Sequence, residues 1–391
     1  MRMTPLALLF ALAFLVSVDV RILGPVLPSI SLSLGSSAGT VGLAMTTYTL
    51  AYGVGQLVYG PLSDRFGRIA VVRAAGLGFG ACAALSALAT TTPQFVVIRL
   101  LVGAFAGAVI PMALVFIGDT VPYARRQAVI GRFSMITSAA LALSASIGGA
   151  VAHLVSWRAM LLGYGLLALI PVGLMWRLDS LPPPRGPDCA TGSFADFLRD
   201  RRARAVYVAV FLEGFFLWGG VTYLGSFGTA RHGLDQFAVG LLIALFGVGT
   251  MTGGALMGHI RRRASENALA AAGGILMAVA FLVLVPRWPT AVFAASMLVL
   301  GFGFVGLHTT LQLRGTEIGG AAARGKAFSL FAFSLFGGMS AGTATLGRLV
   351  DAGSYEAVFA VVGVGLAVVG LGTALAPSRP QSDGDRREAT G

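Results

Sequence analysis

The sequence predicts an all-α membrane protein: twelve transmembrane helices in two pseudo-symmetric six-helix bundles, with both termini cytoplasmic. Three observations carry this. The chain is 56% hydrophobic and 11% charged, against roughly 25% charged in soluble domains, and 391 residues cannot bury that much apolar surface in one core. Apolar windows of about 20 residues, enough to cross about 30 Å of hydrocarbon, recur along the whole chain. The two halves also repeat with an offset of 198: Asp119 and Arg126 align with Glu317 and Arg324, Ser156-Trp157 with Ser354-Tyr355, and Gly103, Gly149 and Gly165 with Gly301, Gly347 and Gly363.

The predicted spans are 5–28, 39–61, 69–90, 93–118, 128–153, 156–178, 204–227, 236–259, 266–286, 289–313, 324–350 and 354–376. A secretory signal, with Arg2 as its n-region and Leu6–Val18 as its h-region, is the rival reading of the first segment. It loses because the segment stays apolar past Arg21 and lacks a small-residue cleavage site. Pro25 and Pro28 are expected to kink or end this first span near the outer face. The polar stretch 179–203, with three consecutive prolines and then a charged run suited to a short amphipathic helix, reads as a cytoplasmic linker. It separates an N-terminal bundle (1–178) from a C-terminal bundle (204–376). Residues 377–391 are expected to be a disordered cytoplasmic tail.

The net charge of +12 is a topological signal. In this arrangement 22 of the 28 basic residues fall on the cytoplasmic side and four (Arg158, Arg231, Arg287, Arg348) outside, as the positive-inside rule requires. That distribution excludes a nucleic-acid partner. Cys82 in the third span and Cys189 in a cytoplasmic loop give no reason to expect a disulfide.

Charges within spans are the sharpest functional clues, because each costs at least about 2.5–3.5 kcal/mol to insert. Four stand well inside: Asp19, Arg21, Arg99 and Glu213. Asp19 and Arg21 lie about 200° apart around a helix, so each needs its own partner or water. Counting residues along antiparallel spans puts Asp19 and Arg99 within about one turn in depth, which leaves an ion pair between them open. Burial favours the neutral acid and an adjacent arginine favours the carboxylate. Separating such a pair can therefore load or release a proton, and Asp19 with Arg99 as its tuner is the expected coupling centre. Glu213, at another depth, is the second proton-coupling candidate. Arg21, Tyr48, Tyr52, Gln56, Trp218, Tyr223, His308 and Gln312 are the expected polar or aromatic contributors to a substrate cavity. Each has a blander alternative as an interfacial aromatic or a satisfied core group.

Residues 59–69 read YGPLSDRFGRI, a polar turn between two apolar stretches. The pattern Gly-x-Leu-x-Asp-Arg-x-Gly-Arg, carried by Gly60, Leu62, Asp64, Arg65, Gly67 and Arg68, resembles the signature loop of the major facilitator superfamily of transporters. A decayed copy, Gly254-Ala-Leu-Met-Gly258 followed by arginines, lies between the eighth and ninth spans. Arg99 followed four residues later by Gly103, and Asp19 ahead of Leu27-Pro28, are similar to patterns of the superfamily's drug:proton antiporters, in which the arginine is linked to proton coupling. Val102 stands where glutamine is frequent. In the fifth span Ser144-Ala145 replaces the Gly-Pro that antiporters often carry, although Gly148 and Gly149 remain. The resemblance covers residues 5–376.

It implies alternating access, a proton gradient as driving force without a cofactor or metal, and a monomer in the cell membrane. Its partners would be protons, lipid and a small-molecule substrate. The loop at Gly60–Arg68 would be a cytoplasmic gate, with Asp64 meeting a helix N-terminus or an arginine of the other half. With one asparagine, Asn267, in the whole chain, an amphipathic or lipophilic substrate fits better than a sugar. Export of a specific metabolite such as a sugar, amino acid or siderophore is the alternative. A sensor or scaffold on a transporter fold is another, less compatible with retained intramembrane charges. Two soluble-enzyme motifs are excluded by context. Gly301-x-Gly303-x-x-Gly306 lies mid-span with no strand before it. Gly320-x-x-x-x-Gly325-Lys326 lacks the following Ser/Thr, so an ATPase or other enzyme is not expected.

Overall fold

The computed structural model describes residues 5–176, 194–286, 288–318 and 320–375, with side chains for most of them. Every element among these is helical. They form α1 (Pro5–Ile22), α2 (Leu27–Leu34), α3 (Ala38–Phe66), α4 (Arg68–Ser86), α5 (Thr92–Ala106), α6 (Val109–Thr120), α7 (Tyr123–Leu154) and α8 (Trp157–Met175). From residue 194 onward come α9 (Phe194–Arg199), within the stretch expected as a linker, α10 (Arg201–Glu213), α11 (Gly219–Thr222), α12 (Leu224–His232), α13 (Gln236–Ile260), α14 (Glu266–Leu282), α15 (Thr290–Glu317), α16 (Gly320–Asp351) and α17 (Tyr355–Leu375). Ten of the resulting helical passages are long and apolar enough to cross a bilayer, and Glu266–Leu282 is a shorter apolar helix.

The breaks have local causes. Gly24 and Pro25 interrupt the first passage: α1 stops at Ile22, Gly24–Val26 forms a 3-10 turn, and α2 carries the chain on to Leu34. The passage thus runs beyond the expected end at 28. Pro28 sits in the first turn of α2, where a missing N–H costs nothing. Gly35 and Gly67 take positive φ, 60° and 87°, which a side chain would resist. Gly67 thereby makes the turn between α3 and α4 almost without a loop. Helix starts carry their own caps: Ser37, Thr91, Ser156, Asp235 and Ser265 each accept a backbone N–H three residues on.

Helices α1–α8 pack among themselves, as do α10–α17, and the two groups meet chiefly along α3 against α16 and α7 against α13. The 198-residue repeat is a repeat of contacts. Gly103 lies against the Tyr48 carbonyl, and Gly301 against the Phe246 carbonyl at the same offset. Gly165 packs on Gly80 and Ala84, and Gly363 on Ala278 and Leu282. A Cβ at any of these glycines would collide with its neighbour, so small residues set the interhelical distance. Gly301, Gly303 and Gly306 all meet neighbouring backbone in this way. Outward-facing Leu32, Leu88, Leu154 and Leu375 are more than two-thirds exposed, a surface that lipid rather than water covers.

Candidate functional site

Asp19 lies one turn before the end of α1 and faces its own bundle. Arg99 of α5 grips it with both arms of the guanidinium, Nη1 to Oδ1 at 2.8 Å and Nη2 to Oδ2 at 3.1 Å. The Tyr164 hydroxyl of α8 donates to Asp19 Oδ1 and accepts from Arg99 Nη1 at 3.0 Å. The Arg99 guanidinium also rests 4.6 Å from the centre of the Tyr48 ring. Both charged side chains are closed to solvent, at 1% and 0% exposure. A forked pair with a third hydrogen bond meets the condition that makes a buried ion pair tolerable. Tyr164 has no counterpart in the sequence reading, because a tyrosine within a span is commonplace until its hydroxyl partner is seen.

The second buried carboxylate is in the other bundle. Glu213 ends α10, is fully buried, and lies 3.1 and 3.2 Å from Nδ1 of His308 on α15. Immediately after Glu213 the backbone widens into a π-helical turn, Gly214–Trp218, a feature common at functional sites. Gly214 meets the Leu335 carbonyl there, and Gly219 meets Gly342. Phe304 stacks on the His308 ring at 4.7 Å and 18°, and the Trp218 ring meets Phe304 edge-on at 5.4 Å. An imidazole with a carboxylate partner is a site at which a proton can be held or passed.

Between the bundles lies a cavity of about 30 Å³. Val20, Arg21, Met45, Trp218, Phe246 and Met297 are among its walls, with residues of α7, α12 and α16 completing it. Arg21 is the one charged side chain lining it, and its guanidinium stacks 3.7 Å from the Trp218 ring centre. The outer side above this cavity is sealed by backbone. Gly225 meets Gly24 and Pro25, Gly39 meets Gly347, Gly149 meets Gln236, and Gly240 meets Ala145. Asp351 Oδ1 accepts from the Gly39 N–H at 2.7 Å, adding a carboxylate to the N-terminal turn of α3.

The remaining candidates are dispersed. Tyr52 packs on Phe336 at 4.4 Å across the bundle interface, and Gln56 reaches the Gly107 carbonyl at 3.5 Å within its own bundle. Tyr223 is fully buried and donates to the Thr343 carbonyl at 2.7 Å, so it belongs to the outer seal and not to the cavity. Gln312 lines a separate cleft of about 410 Å³ with Arg261, Glu266 and Thr316. In the signature loop, Arg65 is exposed, while Arg68 bonds to Ser63 and to Asp119 at 3.2 Å. These contacts tie the turn to its own bundle. The Asp64 side chain lies outside the described residues, and with it the expected cytoplasmic contact to the other half. Among the described residues, a carboxylate does join the halves at the opposite end: Asp351, bound to the N-terminal turn of α3.

The repeat exposes an asymmetry. At the offset of 198, Asp19, Arg99 and Tyr164 correspond to Leu217, Met297 and Val362, all buried. Glu213 and His308 correspond to Leu15 and Ile110. Each bundle thus carries a polar centre where the other is apolar.

The family model described as Major Facilitator Superfamily matches residues 9–343. A chloramphenicol resistance protein of Pseudomonas aeruginosa is 30% identical over 39% of this chain and 37% of its own length. A 4-hydroxybenzoate transporter, PcaK, of the same organism is 28% identical over 44% of this chain and 38% of its own. The chain therefore spans about two fifths of the length of these curated relatives. The solved xylose transporter XylE from E. coli, in an inward-open conformation, superposes with a TM-score of 0.75 over 98% of both chains at 16% identity, a likeness of fold. The helical repeat, the signature loop and the matched length lead to one conclusion: the chain belongs to the Major Facilitator Superfamily and is a multi-pass membrane protein.

Proposed function

We propose that the chain is a proton-coupled secondary transporter that exports small amphipathic or lipophilic compounds from the cell by alternating access. The observation that carries this reading is the buried Glu213–His308 pair at 3.1 Å, which reaches the cavity through Phe304 and Trp218. Asp19, held by Arg99 and Tyr164, is the second proton-binding group. Separation of the Asp19–Arg99 pair as the bundles rock would expose a carboxylate to protonation. Both centres adjoin the helices that must move, which is where coupling requires them. Operation as a monomer in the cell membrane completes the reading, since the path lies within one chain. The electrical part of a proton gradient alone offers about 2.3 kcal/mol per charge per 100 mV.

The apolar cavity wall supports a substrate with little hydrogen-bonding capacity, and similarity to a protein named for chloramphenicol resistance supports export of a drug-like compound. Similarity to a 4-hydroxybenzoate transporter keeps a second reading open, export of a specific metabolite. Reconstitution in proteoliposomes tests both against a non-transporting scaffold. The panel is lipophilic cations, neutral drugs and small organic acids, with and without an imposed pH gradient. Gradient-dependent flux of the lipophilic compounds supports the proposal, confinement to one metabolite supports the second reading, and absence of flux under any gradient sinks both.

A further inference from the structure

Arg21 is a cation whose hydrogen-bonding capacity is unused. A guanidinium has five N–H donors, yet among the described residues no carboxylate, carbonyl or hydroxyl accepts from it. The two nearby intramembrane carboxylates are already engaged, Asp19 with Arg99 and Glu213 with His308. What Arg21 does contact is aromatic: Trp218 at 3.7 Å and Phe246 at 5.3 Å to the ring centres. Its place in the last turn of α1 also suits a cation, by the helix dipole. Both effects act on the charge and leave the N–H donors open. Those donors border the cavity, whose walls are otherwise almost wholly apolar.

From this we infer that Arg21 is the recognition point for an anionic group, and that the substrate is an organic acid: a carboxylate on an apolar, preferably aromatic, body. A carboxylate matches the guanidinium fork, and an aryl ring behind it meets the Trp218 and Phe246 faces. A lipophilic cation would instead meet an uncompensated like charge. The void of about 30 Å³ holds a carboxylate-sized group while the outer end is sealed. Met45, Met297 and Met339 line it and supply deformable walls for the ring as the bundles part. The inference rests on the transport reading and narrows its substrate class. It does not depend on proton coupling.

The test is equilibrium binding to the purified full-length protein without any pH gradient, read by tryptophan fluorescence and by thermal shift. The probes are benzoate, naphthoate, benzamide and benzylammonium, matched in shape and differing in charge. Benzoate or naphthoate should bind saturably, with benzamide and benzylammonium weaker by about 10- to 100-fold. Arg21→Gln should abolish that preference, Arg21→Lys should retain part of it, and Trp218→Leu should weaken all aryl probes while keeping the order. The lysine variant guards against mere misfolding, since it keeps the charge. Equal binding of the amide or the ammonium, undiminished benzoate binding by Arg21→Gln, or no binding of either arylcarboxylate would each overturn the inference. Benzoate binding without gradient-driven flux would uphold it and instead reject proton coupling.

Discussion

Two residues apart on one helix, Asp19 and Arg21 do different work because a helix turns about 200° between them. Asp19 faces its own bundle and is fully coordinated; Arg21 faces the gap and is not. That division was legible in the sequence, since charges in spans are costly and two-residue spacing forbids a shared face. The coordination of Asp19 by Tyr164 was not, because no pattern distinguishes that tyrosine from others in spans. Breaking the Asp19–Arg99 pair should be costly. Asp19→Ala or Arg99→Ala each leaves a buried charge unpaired, at about 3–5 kcal/mol. The double variant should lose less than the sum, and a double-mutant cycle on thermal unfolding in detergent measures the difference. Additive losses would mean the pair is not an energetic unit. Glu213→Gln keeps a hydrogen-bonding group beside His308 and should unfold within about 1 kcal/mol of the native chain. Its effect should fall instead on the pH dependence of flux.

Among the helices, glycine does what charge does at the centres. The columns Gly103/Gly301, Gly149/Gly347 and Gly165/Gly363 were visible as a repeat, but sequence alone does not say which neighbour each glycine admits. Gly103 and Gly301 hold helices together within a bundle, whereas Gly149 and Gly347 bring the two bundles together at their outer ends. The Asp351 bond to the α3 terminus is not legible in the sequence, because an acid at the end of a span is equally at home facing water. Gly149→Val or Gly347→Val should prop the outer ends apart. A cysteine placed at Met45, beside the cavity, should then react several-fold faster with a membrane-impermeant thiol reagent applied from outside. Gly163→Val is the control, since no atom lies within 4 Å of its added Cβ. Equal reactivity in all three variants would show that the glycine seal does not limit access. Asp351→Ala should act in the same direction, by a smaller amount.

At the scale of the molecule, the two halves share a backbone plan and divide the chemistry. One bundle holds a forked ion pair, the other a carboxylate–histidine pair, and each polar centre faces an apolar equivalent in the repeat. The fold was legible because hydropathy, charge asymmetry and a fixed offset all point to the same arrangement. The Glu213–His308 pair was only half legible, because the two are 95 residues apart and meet through packing that no local signal encodes. If the cargo is an acid, proton antiport draws on the membrane potential twice. Exporting a monovalent anion against one entering proton moves two charge equivalents, worth about 4.6 kcal/mol per 100 mV at twice the single-charge value.

The most direct test of proton coupling is flux in proteoliposomes holding the full chain, using the lipophilic panel together with benzoate, with and without an imposed pH gradient. Native protein should move at least one probe several-fold faster under the gradient. Glu213→Gln should transport it at the ungradiented rate in both conditions. Native flux indifferent to the gradient, or full gradient dependence surviving in Glu213→Gln, would contradict the account.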